Sequence, residues 1–137
     1  MIFRRNCLIF LFLLSASSVF ADTPTSLVTG YAVEAARETP GFTPSAKRGH
    51  SFFTKEWGVS QKMPNCTVCH GKNLNIDGKH VITDKRIAPV SPAVNPERFT
   101  SSAKVEKWFK RNCTEVVGRE CTAAEKADFI QFIIQGI

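Results

Sequence analysis

Apolar positions recur with helical spacing in four stretches of the 137-residue chain. From Ser26 to Glu38, Leu27, Tyr31 and Ala35 share one face, and Thr39-Pro40-Gly41 ends the run. Pro44-Ser45 opens a short second helix through Lys47 to Phe53. Gly49 and Phe53 fall on its same side, and a glycine there lets another helix backbone come close. Phe52, Phe53 and Trp57 are expected in the core. Ser101-Ser102 caps a third helix that runs through Val105, Trp108 and Phe109 to about Asn112. Thr122 followed by Glu125 is a capping box. It opens a fourth helix with Phe129, Ile130, Ile133 and Ile134 as an apolar stripe. Between the second and third helices, residues 71–96 are rich in Gly, Asn, Asp and Pro and lack periodicity. They read as a long irregular loop, stiffened by Pro89, Pro92 and Pro96, with Val81-Ile82 as a brief extended piece. Such loops are uncommon unless functional or packed against something. Nothing suggests sheets, repeats or a second domain. The pattern predicts an all-α fold of short helices in one small domain, residues 22–137.

The start of the chain reads differently. Met1 to Arg5 is a short basic segment, Cys7 to Leu14 is apolar, and small residues lead to Val19-Phe20-Ala21. This is a secretory leader, residues 1–21, with cleavage expected after about Ala21. Its apolar block is short for a span of about 20 residues. The expected location is therefore the periplasm. The formal net charge is +6, and +4 without Arg4 and Arg5. Lysines and arginines are scattered and the aromatics look like core, so no nucleic-acid stripe is present. The mildly basic surface is compatible with an acidic redox partner, and the small domain is expected to be a monomer.

The chemistry is carried by Cys66-Thr67-Val68-Cys69-His70, the attachment signature of a c-type haem. One helical turn places two thiols where they add to the two vinyl groups of one haem edge. The following imidazole then faces the iron as its permanent axial ligand. A zinc site would need a second close ligand pair, and Cys113 and Cys121 are too widely spaced for one. A thioredoxin-like pair would need a surrounding βαβ pattern, which is absent. Of five cysteines, Cys7 leaves with the leader and Cys66 and Cys69 take the haem. Cys113 and Cys121 remain in an oxidising compartment and are most simply a disulfide. A loop this short contributes roughly 2.5 kcal/mol in the chain-entropy account.

The second axial position is less determined. Methionine is the usual ligand of an electron-carrying c-type haem, but the chain has only Met1, in the leader, and Met63, close before Cys66. The remaining readings are His50, His80, Lys110, Asn112 or an empty site. Each has a plain alternative. His50 packs in a helix, His80 is a surface or propionate-contacting residue, Lys110 is solvated and resists losing its proton, and Asn112 ends a helix.

A resemblance narrows the choice. Asn95-Pro96-Glu97-Arg98-Phe99-Thr100, then Val105-Glu106-Lys107-Trp108-Phe109-Lys110-Arg111-Asn112-Cys113, then Gly118-Arg119-Glu120-Cys121-Thr122, resemble the sphaeroides haem protein (SHP) family. These are high-spin class I cytochromes c related to cytochrome c″. The resemblance covers essentially the mature chain. It implies a class I cytochrome c fold wrapped round one haem c, with His70 proximal, Asn112 distal and a Cys113–Cys121 bridge beside it. The histidine of cytochrome c″ at the equivalent place is absent. The resemblance implies binding of O2 and NO; an amide oxygen is a hard, weak ligand that suits ferric better than ferrous iron, so its bond is expected to be lost on reduction, opening the site to O2, NO or CO. It also implies a dihaem cytochrome c and a membrane cytochrome b as electron donors. Around the site, Trp108 and Phe109 either line the pocket or pack as core. Arg98 pairs with a propionate or is solvated, and Pro89 packs near His70 and orients its ring. The alternatives to gas binding with electron transfer are a small oxidoreductase acting on NO, peroxide or nitrite, for which His50 is the only acid–base candidate, and a plain shuttle with a distal histidine.

Overall fold

The computed structural model describes residues 21–136. The leader assigned to residues 1–21 lies, but for its last residue, outside them. Among the described residues, the fold consists of five helices and one minimal hairpin. Helix α1, Pro24–Glu38, starts two residues earlier than the apolar pattern requires. Pro24 suits a first helical turn, whose N–H groups have no partner inside the helix. Thr23 and Ser26 cap it reciprocally. Helix α2 is Ala46–Thr54, capped by Ser45. Helix α3, Thr67–His70, is the single turn of the attachment motif and stops at Gly71, whose φ is 70°. Strands β1, Gly78–Lys79, and β2, Arg86–Ile87, pair antiparallel. Helices α4, Ser102–Val116, and α5, Ala123–Gln135, complete the chain. The Thr122–Glu125 capping box forms as expected at the start of α5.

Helix α5 is the hub, packing against both α1 and α2. A Cβ at Gly49 would overlap the backbone carbonyl of Asp128 and press on Phe132. This is the close approach that the Gly49–Phe53 face anticipates. Asp128 fastens the same crossing. It is buried, accepts from Ser45 N at 2.7 Å at the start of α2, and takes Arg48 Nε and Nη2 at 2.7 and 2.8 Å. Two apolar clusters result. One joins α1, α4 and α5 through Leu27, Tyr31, Phe109 and Ile130. The other joins α2, α5 and the long loop through Phe53, Val90, Phe132 and Ile133.

Two expectations are corrected. Val81 and Ile82 are not a strand: both are exposed in the turn between β1 and β2. The ladder forms instead where Gly78 sits against the Cys69 carbonyl and the His70 backbone, and where ion pairs Arg86–Asp77 and Lys79–Asp84 bracket it. A two-stranded sheet is therefore present. Helix α4 also continues past Asn112 to Val116, so the segment from Cys113 to Cys121 begins inside a helix. No helix breaker intervenes before Gly118, and Thr114 bonds back to the Lys110 carbonyl at 2.7 Å instead of interrupting the turn.

The long loop is held by short internal ties. Leu74 O accepts from Val90 N and Ser91 N, each at 3.1 Å. Arg98 Nε and Asn95 Nδ2 both donate to Pro89 O, at 2.8 and 3.0 Å.

Two stability tests follow from this packing. Gly49→Ala forces the α2–α5 crossing apart and should cost about 2–3 kcal/mol, read by thermal unfolding of the holoprotein. Glu106 on α4 gives an acid-side test. Burial pushes its pKa up, but hydrogen bonds from Lys126 and Tyr31 outweigh this and hold it below the usual carboxylate range. A depressed carboxylate contributes stability above its unfolded pKa of about 4.3 and loses it as pH falls through the folded value. Glu106→Gln should therefore be less stable than wild type at neutral pH, with the gap narrowing below about pH 4 in denaturant titrations.

Candidate haem site

A cleft opens between α2, α3, α4 and the hairpin. Its apolar wall is Phe52 and Phe53 from α2 and Phe109 from α4. Cys66, Cys69 and His70 line it from the attachment turn. Asn112 and Glu115 line it from α4, and His80 and Ile87 from the hairpin. The aromatic pattern places these walls: Phe53 sits one turn beyond Gly49 on the face pressed to α5, and its ring lies 6.3 Å from the His70 imidazole.

Burial sets the protonation of the motif. His70 is driven down to about 4, first by burial and then by the charges of Arg98 and His80. It is therefore neutral near pH 7 and keeps the lone pair that a metal requires. Its Nδ1 is buried without a hydrogen-bond partner among the described residues. Burial, reinforced by Cys69, pushes the Cys66 thiol up to about 11. That environment opposes the thiolates of a zinc site and suits thioethers, which carry no charge. Among the described residues, no group of three or more His, Cys, Asp or Glu side chains is placed to hold a metal ion unaided. The residues present thus fit a metal that arrives in a macrocycle: two sulfurs at the edge of an aromatic cleft and one neutral imidazole facing in. Haem bound there would be held by Cys66, Cys69 and His70.

The distal candidates separate by position. Asn112 lines the cleft, half-buried, and its carboxamide makes no hydrogen bond among the described residues. His80 also lines it, but its Nδ1 accepts from Ile82 N at 3.2 Å and Thr83 N at 3.3 Å, which ties the ring into the hairpin turn. His50 is exposed, edge-on to Phe132 and outside the cleft. Lys110 is also outside, exposed and paired with Glu120 at 3.2 Å. Met63, set aside because it lies so close to Cys66, does line the cleft.

The pocket residues divide as well. Phe109 is buried and walls the cleft. Trp108 does neither of the things expected of it. It is 47% exposed, with Lys107 and Arg111 over its ring, because one position along a helix turns a side chain to another face. Arg98 donates from Nε and Nη2 to the Pro89 and Ala88 carbonyls, which braces the loop and leaves Nη1 without a hydrogen bond among the described residues. Pro89 lies outside the cleft lining, and its carbonyl is taken by Arg98 and Asn95, leaving the His70 ring without a tie from it. The Cys113 and Cys121 Cα atoms are 5.7 Å apart, within disulfide range. Glu115 is a cleft residue that the sequence reading missed. It lies one turn after Asn112, and the i, i+3 spacing was the available signal.

Comparison with known proteins agrees with this geometry. A family model described as a domain of unknown function (DUF1924) matches residues 40–133. The chain is 42% identical over 122 residues to the cytochrome c-type protein SHP of Cereibacter sphaeroides, covering 88% of this chain and 90% of that protein. It is 38% identical over 92 residues to cytochrome c″ of Methylophilus methylotrophus, covering 66% of this chain and 64% of that one. Among solved structures, oxidised SHP, described as an oxygen-binding cytochrome c, matches with a TM-score of 0.74 at 40% identity, over 82% of this chain and 96% of that chain. Oxidised cytochrome c″ matches with a TM-score of 0.75 at 34% identity, over 81% and 92%. The all-α fold, the haem cleft and these relatives give one conclusion: the chain belongs to the family of SHP and cytochrome c″, and is a monohaem c-type cytochrome carrying covalently bound haem c.

Proposed function

We propose that Cys66 and Cys69 carry the two thioether links, that His70 is the proximal ligand and Asn112 the distal one, and that Asn112 leaves on reduction to admit a diatomic molecule. When bound, the haem would supply a redox-active iron to these two side chains. The observation that carries the reading is the Asn112 carboxamide, which faces the His70 cleft with no hydrogen-bond partner among the described residues. An amide oxygen is a hard, neutral and weak donor, better suited to ferric than to ferrous iron. Asn112 would therefore favour the oxidised centre and be released by the reduced one, leaving the site open to O2, NO or CO. Phe109, one turn before it, keeps that position apolar. A Cys113–Cys121 disulfide restrains the helix end on which Asn112 moves. In this reading the leader directs residues 22–137, as one domain, to the periplasm, where a dihaem cytochrome c and a membrane cytochrome b supply electrons. Among the described residues, no helix is long and apolar enough to cross a membrane. The SHP relative is described as oxygen-binding, which supports the same assignment here.

A second reading, an oxidoreductase acting on NO, peroxide or nitrite, gains one observation: Glu115 brings a carboxylate to the cleft on the Asn112 side. Its Oε1 accepts from Arg111 Nε at 3.0 Å, and the carboxylate so held would serve as the positioned proton-transfer group that such chemistry requires.

Two variants test these readings. Asn112→Ala should shift the ferric spectrum and leave ferrous CO uptake intact, whereas Asn112→His should give a low-spin, six-coordinate ferric form that takes up CO more slowly. An Asn112→Ala protein with an unchanged ferric spectrum removes the distal assignment. Glu115→Gln should leave ligand binding unaltered under the first reading and slow turnover of a bound substrate by ~100-fold under the second.

A further inference from the structure

Behind Phe109 lies a polar group that the cleft does not use. Tyr31, the chain's single tyrosine, is buried on α1, and its hydroxyl donates to Glu106 Oε1 at 2.6 Å. Lys126 on α5 donates to both Glu106 oxygens, at 3.0 and 2.8 Å, and lies over the Tyr31 and Phe109 rings. Burial, and then the carboxylate, push the phenol pKa far above its ordinary value. The phenol therefore does not ionise by itself near neutral pH, and its proton leaves only if an electron leaves with it. The Tyr31 ring stands edge-on to Phe109 with centroids 6.2 Å apart, and Phe109 walls the cleft. One aromatic ring thus separates a phenol that has a bonded proton acceptor from the haem site.

We propose that Tyr31 is a redox relay, passing single electrons past Phe109 to the haem cleft while Glu106 takes and returns its phenolic proton. The oxidant is hydrogen peroxide. As each electron leaves, the phenolic O–H bond breaks and an O–H bond forms on the Glu106 carboxylate, leaving a neutral phenoxyl radical and a carboxylic acid. A one-electron reductant, for which ascorbate is the probe, refills the radical, and Glu106 returns the proton. After two passes, one hydrogen peroxide and two protons from solvent have become two waters, and two ascorbate ions have each lost one electron. Lys126 keeps Glu106 ionised at rest and so ready to accept. The relay requires haem in the cleft but not Asn112 as its ligand, so the spectra of Asn112 variants and the following experiment fail independently.

Ferric holoprotein is mixed with equimolar hydrogen peroxide, frozen at once and examined by electron paramagnetic resonance. A tyrosyl radical is expected, with hyperfine structure that collapses when the protein is made with ring-deuterated tyrosine. With one tyrosine in the chain, the signal reports Tyr31 alone. Tyr31→Phe, matched to wild type in haem spectrum and thermal unfolding, should abolish the signal and lower peroxide-dependent ascorbate oxidation. Glu106→Gln keeps an acceptor oxygen for the phenol but no usable base, and should slow radical formation by roughly 100-fold. Absence of a radical, a signal indifferent to deuterated tyrosine, or an unchanged rate in Glu106→Gln would each overturn the relay.

Discussion

The structure depends on one contact: the backbone of α2 at Gly49 lying directly on the backbone of α5 at Asp128. Helices that close cannot accommodate a side chain between them, and overpacking such a contact is felt through the whole core. Here the approach presses Phe53 into the cluster with Phe132 and Ile133, and Phe53 in turn sets the aromatic wall beside His70. Asp128 adds direction to proximity. Its buried carboxylate binds the first turn of α2 and the Arg48 guanidinium together, fixing where along α5 the shorter helix sits. Arg48 is half exposed, so the pair acts less as a source of net stability than as a register pin.

What burial does to the attachment turn follows from that placement. A histidine on the surface would be protonated for part of the physiological range. Under Phe53 and beside Arg98, His70 is kept neutral, and Cys66 is kept as an uncharged thiol. The hairpin closes the turn from the other side. Gly78 lies on the Cys69 carbonyl, and Val81 N–H points at Cys69 Sγ at 3.4 Å.

Local features were legible in the sequence. The attachment pentapeptide, the Thr122–Glu125 box and the Gly49–Phe53 face are each defined within one or two helical turns, so the residues themselves carry the signal. The hairpin was missed because two-residue strands have no period to detect, and its ladder depends on Gly78 meeting a backbone distant in space. The extension of α4 was missed because Asn112-Cys113 looked like an ending, whereas the actual stop waits for Gly118. Trp108 and Phe109 could not be separated without the helix phase relative to α1 and α5. Arg98 illustrates a further limit. Its chemistry suits a carboxylate, yet two carbonyls of the loop, nine and ten residues back, take Nε and Nη2, a brace that no local pattern announces. The Tyr31–Glu106–Lys126 group joins three helices, and no spacing along the chain announces it.

The carboxylate that pins the start of α2 comes from α5, far along the chain, and this has a consequence for order in time. A polypeptide delivered with its amino end leading presents Cys66 and Cys69 well before Asp128 arrives to lock the crossing. During that interval the thiols stand in an unfinished groove, open to whatever machinery installs the porphyrin. Enclosure of the groove waits for α5, more than fifty residues further along the chain.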